Sequence, residues 1–543
     1  MVKNVMTNEL TKIIEGSARG GFFLFLGVLF STAILAVNSM IIGRLLGPDL
    51  YGQYTLSLIL SQLLFLFSSF GINQGLIKFV TDLHLKGEKE NLIKIAQSGI
   101  IFRVIIGIMI SLIAFYSATS FASIIGRPDI APYIQLSSPI LIFQVIYSIV
   151  TATFIGLGRA EHSALINALF AILKFATSIY LILVGLKIAG AILGSLIGYI
   201  VVSMIAVSIL LFKLKNLSPI NNGGKFDFAR NMRTLIGFGI PLYASILLTG
   251  FIPLYQNFIL AVFATNIDLG NFKAAMNFVT AINMIFANTA IILLQTFSKL
   301  NSLNMENKIG SLFKIISKYT GLLTLPIIVS ILLFSEEIIK VVYGLHYQSA
   351  SLYLSSLCSI YLLVPLGYIT LFNLFNGLGE TRMTLKTTLI NFTLFLILGP
   401  LLAKFYSVIG MIAAFLISNS ASTIFAINLA RKNFKIQFKV RDLLRIYIVA
   451  AFSSIPLILF HSIFTSSIFN IVTGILLYLF IYITLIPLTK ILDELELKVI
   501  TDALQEAKSL TLLIKPIIAY QRKVLNVKSA TSHLIREKIP EYH

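Results

Sequence analysis

Apolar residues in this chain come in long continuous runs, not in the alternation of a half-buried strand or the narrow stripe of a surface helix. A helix needs ~20 apolar residues to cross ~30 Å of hydrocarbon. Fourteen runs reach or approach that length: 20–43, 54–77, 95–117, 133–157, 164–184, 188–212, 234–262, 271–297, 316–334, 351–375, 386–402, 408–430, 446–465 and 469–489. Their continuity excludes a closed barrel, whose strands alternate residue by residue. Gly and Pro inside several runs fit a helix bundle, where neighbouring helices satisfy the backbone groups that such residues free. The pattern predicts an all-α polytopic membrane protein of about 14 transmembrane helices.

The polar segments between the runs set the orientation. With the N-terminus in the cytoplasm, inside segments carry 34 of the 42 Lys and Arg residues. Outside loops then hold Arg44, Arg127, Lys187, Lys273, Lys340 and Lys404, while Arg103 and Lys174 fall within spans. The excess on one side predicts N-in, C-in, which requires an even number of spans.

The runs also repeat. Gly156-Leu157-Gly158-Arg159 closes span 4, and Gly377-Leu378-Gly379-Glu380 closes span 10. Tyr51-Gly52-Gln53-Tyr54 opens span 2, and Leu269-Gly270-Asn271-Phe272 opens span 8. Ala189-Gly190-Ala191 and Ile409-Gly410-Met411 open spans 6 and 12. Equivalent positions lie six spans apart, so the halves insert in one orientation, related by an axis along the membrane normal. The expected organisation is a cytoplasmic N-terminus (1–19), an N-terminal six-helix lobe (20–212), a cytoplasmic linker (213–233), a C-terminal six-helix lobe (234–430), additional helices 13 and 14 (431–489) and a basic cytoplasmic tail (490–543). The tail begins as an amphipathic helix, with Leu492, Val499, Ala503 and Leu510 on one face.

Composition narrows the classes further. Of the 543 residues, 57% are hydrophobic and 12% charged, which excludes a disordered chain, a secreted disulfide scaffold and an ordinary soluble enzyme. The formal charge of +20 matches the basic inside segments and contact with anionic inner-leaflet lipids, so it does not imply nucleic acid. A single cysteine, Cys358, leaves no disulfide, and no two of the 6 histidines are spaced as metal ligands. The N-terminus lacks a signal-peptide core, so the first run is expected to be retained. Trp is absent, which leaves Tyr and Phe to form the interfacial belts. No hydrolytic, Walker A or dinucleotide motif occurs, so no catalytic site, metal or cofactor is expected.

Ionisable groups inside spans are costly and usually face a cavity. Lys174 lies ~15 Å into span 5 and Arg103 ~12 Å into span 3, at ~1.5 Å per residue. Lys174 reads as lining a cavity or pairing with neighbouring carbonyls. Arg103 reads as facing the cavity or snorkelling to the cytoplasmic side. Lys78, Arg44 and Lys273 cap spans 2, 1 and 8, where the alternative to ligand contact is a solvated terminal charge.

Uncharged polar residues add a second pattern. Lys273, Asn277, Thr280, Asn288 and Gln295 fall within roughly 80° on span 8, and Thr55, Gln62, Ser69 and Asn73 within ~40° on span 2. Span 7 aligns Ser245, Thr249 and Gln256, and span 1 aligns Ser31 and Asn38, which the repeat places opposite Gln256. These positions predict wet faces on spans 1, 2, 7 and 8. Hydrogen bonding between helices is the plainer alternative. A cavity with cations and no buried acid favours an anionic group such as a phosphate or diphosphate.

Arg44-Leu45-Leu46-Gly47-Pro48-Asp49-Leu50-Tyr51-Gly52-Gln53-Tyr54 resembles the signature after span 1 of polysaccharide-biosynthesis membrane proteins, the Wzx-type lipid-linked oligosaccharide flippases. Ser69-Phe70-Gly71-Ile72-Asn73-Gln74, Gly156-Leu157-Gly158-Arg159 and Phe238-Gly239-Ile240-Pro241-Leu242 are similar to their endings of spans 2 and 4 and opening of span 7. The resemblance covers about 1–490. It implies the multidrug/oligosaccharidyl-lipid/polysaccharide exporter superfamily, with a MATE-like fold of two six-helix lobes around a cavity. It also implies transfer of an isoprenoid-(di)phosphate-linked oligosaccharide from the cytoplasmic to the outer leaflet of the cell membrane by alternating access. No motif of the family assigns its functional cations, so the candidate residues rest on their chemistry alone. The expected partners are a lipid-linked oligosaccharide, the membrane, anionic inner-leaflet lipids and glycan-assembly proteins, with H⁺ or Na⁺ as candidate coupling ions. The alternatives are a MATE-type multidrug or cation antiporter, a non-transporting scaffold, and a glycosyltransferase or polymerase.

Overall fold

The computed structural model describes residues 2–217, 226–303, 306–434, 436, 440–459, 468–489, 491–492, 496–497 and 515–525, with side chains from Phe25 onward except at some positions, among them several of α9 and α10. The turn-rich part of the linker and most of the expected amphipathic tail lie outside these residues. All regular structure among the described residues is helical. In chain order the helices are α1 (Val2–Ser57), α2 (Ile59–Phe67), α3 (Ile72–Leu85), α4 (Lys89–Ile124), α5 (Ala131–Ser137), α6 (Ile140–Gly156), α7 (Ala160–Leu181), α8 (Lys187–Leu217), α9 (Phe228–Phe263) and α10 (Asn266–Ser302). They continue as α11 (Glu306–Tyr343), α12 (Ala350–Cys358), α13 (Thr370–Gly377), α14 (Thr381–Phe434), α15 (Val440–Leu459) and α16 (Ile468–Leu488). Among the described residues, 7 helices are long and apolar enough to cross a membrane, or 9 if each of two bent pairs is one span. The protein is a multi-pass membrane protein.

Several helices are longer than one crossing and turn within their length. The 54 residues of α14 would extend ~80 Å if straight, more than twice the hydrocarbon thickness. Ser407 breaks that helix with φ 51 and ψ −130. In α1 the turn is at Gly47, with φ 73, directly before Pro48. Gly185 and Lys187, with φ 101 and φ 46, make the turn between α7 and α8.

These left-handed positions carry the repeat into the backbone. Gly126 and Gly344, Gly158 and Gly379, and Lys187 and Ser407 all have positive φ, each pair about 220 residues apart. Glycine takes such a conformation without steric cost, which is why the recurring Gly-Leu-Gly sequence marks a recurring turn.

Span 2 departs from one continuous helix. Residue 58 and residues 68–71 interrupt it, with φ 47 at Phe70 and φ 74 at Gly71. The angular arithmetic that aligned Thr55, Gln62, Ser69 and Asn73 therefore does not hold across the breaks, because each interruption resets the helical phase.

The chain forms two compact units. One comprises Met1–Asn277, Val342–Ser349 and Gly399–Met411; the other comprises Phe278–Val341, Ala350–Leu398 and Ile412–His543. The first unit takes in the expected N-terminal lobe and continues through α9 into α10. Its largest core joins Leu76 and Val80 of α3, Ile149 and Phe154 of α6, Phe170 of α7, Val202 of α8 and Leu235 of α9. In the second unit, one cluster centres on Phe297, Phe313 and Phe375, another on Leu325, Val449 and Tyr482, and a third on Phe334 and Tyr478.

Candidate functional site

The α7–α8 hairpin of the first unit positions Lys174. Gly190, Gly194 and Gly198 recur every fourth residue and so share one face of α8. A Cβ on Gly194 would lie 2.4 Å from Ser178, and one on Gly198 would lie 3.3 Å from the Lys174 backbone. Small residues at this spacing let two helices approach to backbone contact, which aligns polar groups that looser packing would leave apart. Thr177 of α7 donates across the gap to the Gly194 carbonyl at 2.9 Å.

Lys174 is half-buried, with its ammonium 5.9 Å from the centroid of the Phe170 ring one turn away. Lys273 of α10 is also half-buried, and the two ammonium charges act on each other. Among the described residues neither has an ion-pair or hydrogen-bond partner. Two unpaired like charges deep within one unit are an unfavourable arrangement that an anion between them would relieve.

One turn beyond Lys273, Asn277 is 7% exposed and forms a hydrogen-bonded hub. Its amide nitrogen donates to the hydroxyls of Tyr343 at 2.8 Å and Tyr51 at 2.9 Å, with Ser39 Oγ at 3.1 Å. Ser39 and the Tyr51 hydroxyl lie 2.8 Å apart, and Tyr347 donates to the Gly43 carbonyl. The hub therefore ties α1, α10 and the end of α11 together around side chains that hydrocarbon would leave unsatisfied. Asn38, beside Ser39, is buried, and its carbonyl oxygen has no partner among the described residues.

Arg103 has a different setting. At 1% exposure it reaches the interrupted end of α2, where its Nη1 donates to the Ser68 carbonyl and, at 3.1 Å, to Ser68 Oγ. A helix C-terminus presents unsatisfied carbonyls and partial negative charge, so a cation there is favourable. Tyr243 of α9 donates to the Leu66 carbonyl of the same end at 2.6 Å. Below the break, α3 meets α9 at backbone contact: a Cβ on Gly71 would lie 2.2 Å from Gly239.

The remaining candidates are dispersed. Lys78 is exposed and lies 4.3 Å over the Phe238 ring. Arg44 is exposed and reaches the Val342 carbonyl at 3.5 Å. Asn73 donates to Ser148 Oγ at 2.6 Å, and Gln256 is buried. Gln62, Thr280 and Gln295 are exposed. The side chains of Asn288, Ser245 and Thr249 lie outside the described residues.

Other polar contacts went unmarked by the sequence patterns. Arg127 donates to the Ala261 carbonyl at 3.3 Å, to the Ala264 carbonyl and to Asn266 Oδ1, and so caps the end of α9. Burial holds its guanidinium below the ordinary value, while Asp129 and Asp49 oppose the shift. Glu337 of α11, at 5% exposure, is a buried carboxylate that hydropathy placed at a helix end. Tyr147 and Tyr199 pack on Phe170, the ring 5.9 Å from the Lys174 ammonium, and Tyr147 donates to Asn167. The glycine spacing on α8 was the available sequence signal for that neighbourhood.

The polysaccharide biosynthesis protein family matches residues 41–352, more than half of the chain. The chain belongs to that family. Over 409 residues it is 24% identical to the Haloferax volcanii protein named probable low-salt glycan biosynthesis flippase Agl15, covering 75% of this chain and 82% of that one. Its fold is similar to the lipid II flippase MurJ in an inward closed conformation, with a TM-score of 0.68 at 16% identity over 85% of this chain and 97% of that one. It is also similar to an inward-facing multidrug resistance MATE transporter of the MOP superfamily, with a TM-score of 0.63 at 16% identity over 75% of this chain and 94% of that one. The fold is therefore MATE-like and all-helical, as the resemblance of Arg44–Tyr54 implied.

Proposed function

We propose that this protein is a flippase, not an enzyme, that carries an isoprenoid-(di)phosphate-linked oligosaccharide from the cytoplasmic to the outer leaflet by alternating access. Its fourteen spans insert N-in, C-in. The observation that carries the reading is the pair Lys174 and Lys273, two half-buried ammonium groups on different spans with no counter-ion among the described residues. A diphosphate offers several charged acceptors to two such donors. Membership of the polysaccharide biosynthesis family and the likeness to a glycan biosynthesis flippase support the glycan cargo. Anionic inner-leaflet lipids meet the basic cytoplasmic segments.

The reading is tested by binding of an isoprenyl diphosphate to protein in nanodiscs. Lys174→Gln and Lys273→Gln each weaken it about ten- to a hundredfold, the worth of a charge-assisted hydrogen bond. The corresponding neutral isoprenol binds poorly to all variants. Equal affinity for alcohol and diphosphate contradicts the reading.

Buried Glu337 favours a second reading, a cation antiporter on the same fold. Proton-coupled efflux of a cationic dye that Glu337→Gln abolishes supports that alternative.

A further inference from the structure

Beside Lys174, three helices present aromatic and polar groups that phosphate binding does not use. Phe170 of α7 and Tyr199 of α8 have ring centroids 4.1 Å apart. Tyr147 of α6 lies 5.4 Å from the first ring and 5.7 Å from the second. The Tyr147 hydroxyl donates to Asn167 Oδ1. Asn167, Phe170 and Lys174 follow at helical spacing, so α7 directs all three toward the same side. Gly194 and Gly198, packed against α7, bring Tyr199 to them.

Tyr147, Asn167, Lys174 and Tyr199 each keep part of their surface accessible. Among the described residues, the Asn167 amide nitrogen and the Tyr199 hydroxyl carry no hydrogen bond. Packing alone needs neither group. An amide and a phenol without partners inside a membrane bundle are costly unless a ligand or water meets them. Phenolic rings, an amide donor and an adjacent ammonium form a coherent set for a sugar phosphate. Aromatic carbon meets the apolar side of the sugar ring, the amide and phenol meet its hydroxyls, and the ammonium meets the attached phosphate.

We propose that Tyr147, Asn167 and Tyr199 form a subsite for the sugar ring joined directly to the lipid diphosphate. This specificity site rests on the reading of Lys174 and Lys273 as the phosphate-binding pair. The test uses two probes on the full chain in nanodiscs: a bare isoprenyl diphosphate, and the same lipid bearing one hexose. Wild type binds the hexose-bearing lipid more tightly. Tyr199→Phe, which keeps the ring, and Asn167→Leu each lower that affinity about three- to tenfold, the range for one lost hydrogen bond, and leave bare-lipid affinity unchanged. Thermal unfolding of each variant within a few degrees of wild type shows that the bundle is intact. Equal losses for both lipids, or no loss for either, overturn the sugar subsite while the lysine pair stands. Failure of wild type to bind even the bare lipid overturns the phosphate reading and this subsite with it.

Discussion

A buried guanidinium needs acceptors, and Arg103 finds two for its Nη1 at Ser68, at the end of α2, while its Nε has no partner among the described residues. Arg103→Met leaves that helix end uncapped and lowers stability by about 2–3 kcal/mol, the scale of a hydrogen bond to a charged group. Thermal unfolding in detergent checks it. Arg103 and Lys174 look alike in the sequence, each a lone cation in an apolar run. Depth along the run was legible. Facing was not, because a helix that is apolar all round has no stripe to orient it. Asn277 stood out within a polar stripe, but its partners Ser39 and Tyr51 lie more than 200 positions away in the chain. Nothing local could have named them. Asn277→Leu removes the hub while leaving the Lys174–Lys273 pair in place. Stability then falls by about 1–3 kcal/mol through the orphaned hydroxyls.

Helix turns and helix contacts place different demands on glycine. Gly158 has φ 68 and open space around its missing side chain, so Gly158→Ala costs about 1–2 kcal/mol from backbone strain alone. At Gly194 the backbone is helical, but a Cβ meets Ser178 at 2.4 Å. Gly194→Val therefore forces α7 and α8 apart, at a cost of about 3 kcal/mol or more, and shifts the Lys174 backbone away from Gly198. Melting temperatures of the two variants should fall in that order, and only Gly194→Val should also weaken diphosphate binding. The Gly-Leu-Gly recurrences were visible in the sequence as repeated turns because left-handed backbone selects glycine. The break in span 2 was hidden. Ser68-Ser69-Phe70-Gly71 contains no proline, and the interruption is held by Arg103 and Tyr243 from other helices.

For the whole molecule, the uneven distribution of Lys and Arg makes a topological claim. Cys358 is buried and is the only cysteine, so a Cys358→Ala background allows single cysteines to report sidedness. In intact cells Lys404→Cys should react with an impermeant maleimide, and Lys86→Cys should react only after the membrane is opened. Both positions are exposed. The reverse pattern contradicts the N-in, C-in arrangement. Fold class was legible from hydropathy because a bilayer imposes one length on every span. The cargo was not, since the residues proposed to bind it lie far apart in the sequence, on α6, α7, α8 and α10. Flipping is tested most directly by leaflet exchange in proteoliposomes carrying a fluorescent isoprenyl-diphosphate-linked oligosaccharide. A flippase moves it to the opposite leaflet, and Lys174→Gln/Lys273→Gln, folded and inserted, slows exchange at least tenfold; exchange at the wild-type rate by the double variant, or none by wild type with its coupling gradient imposed, contradicts a cargo role for the two lysines.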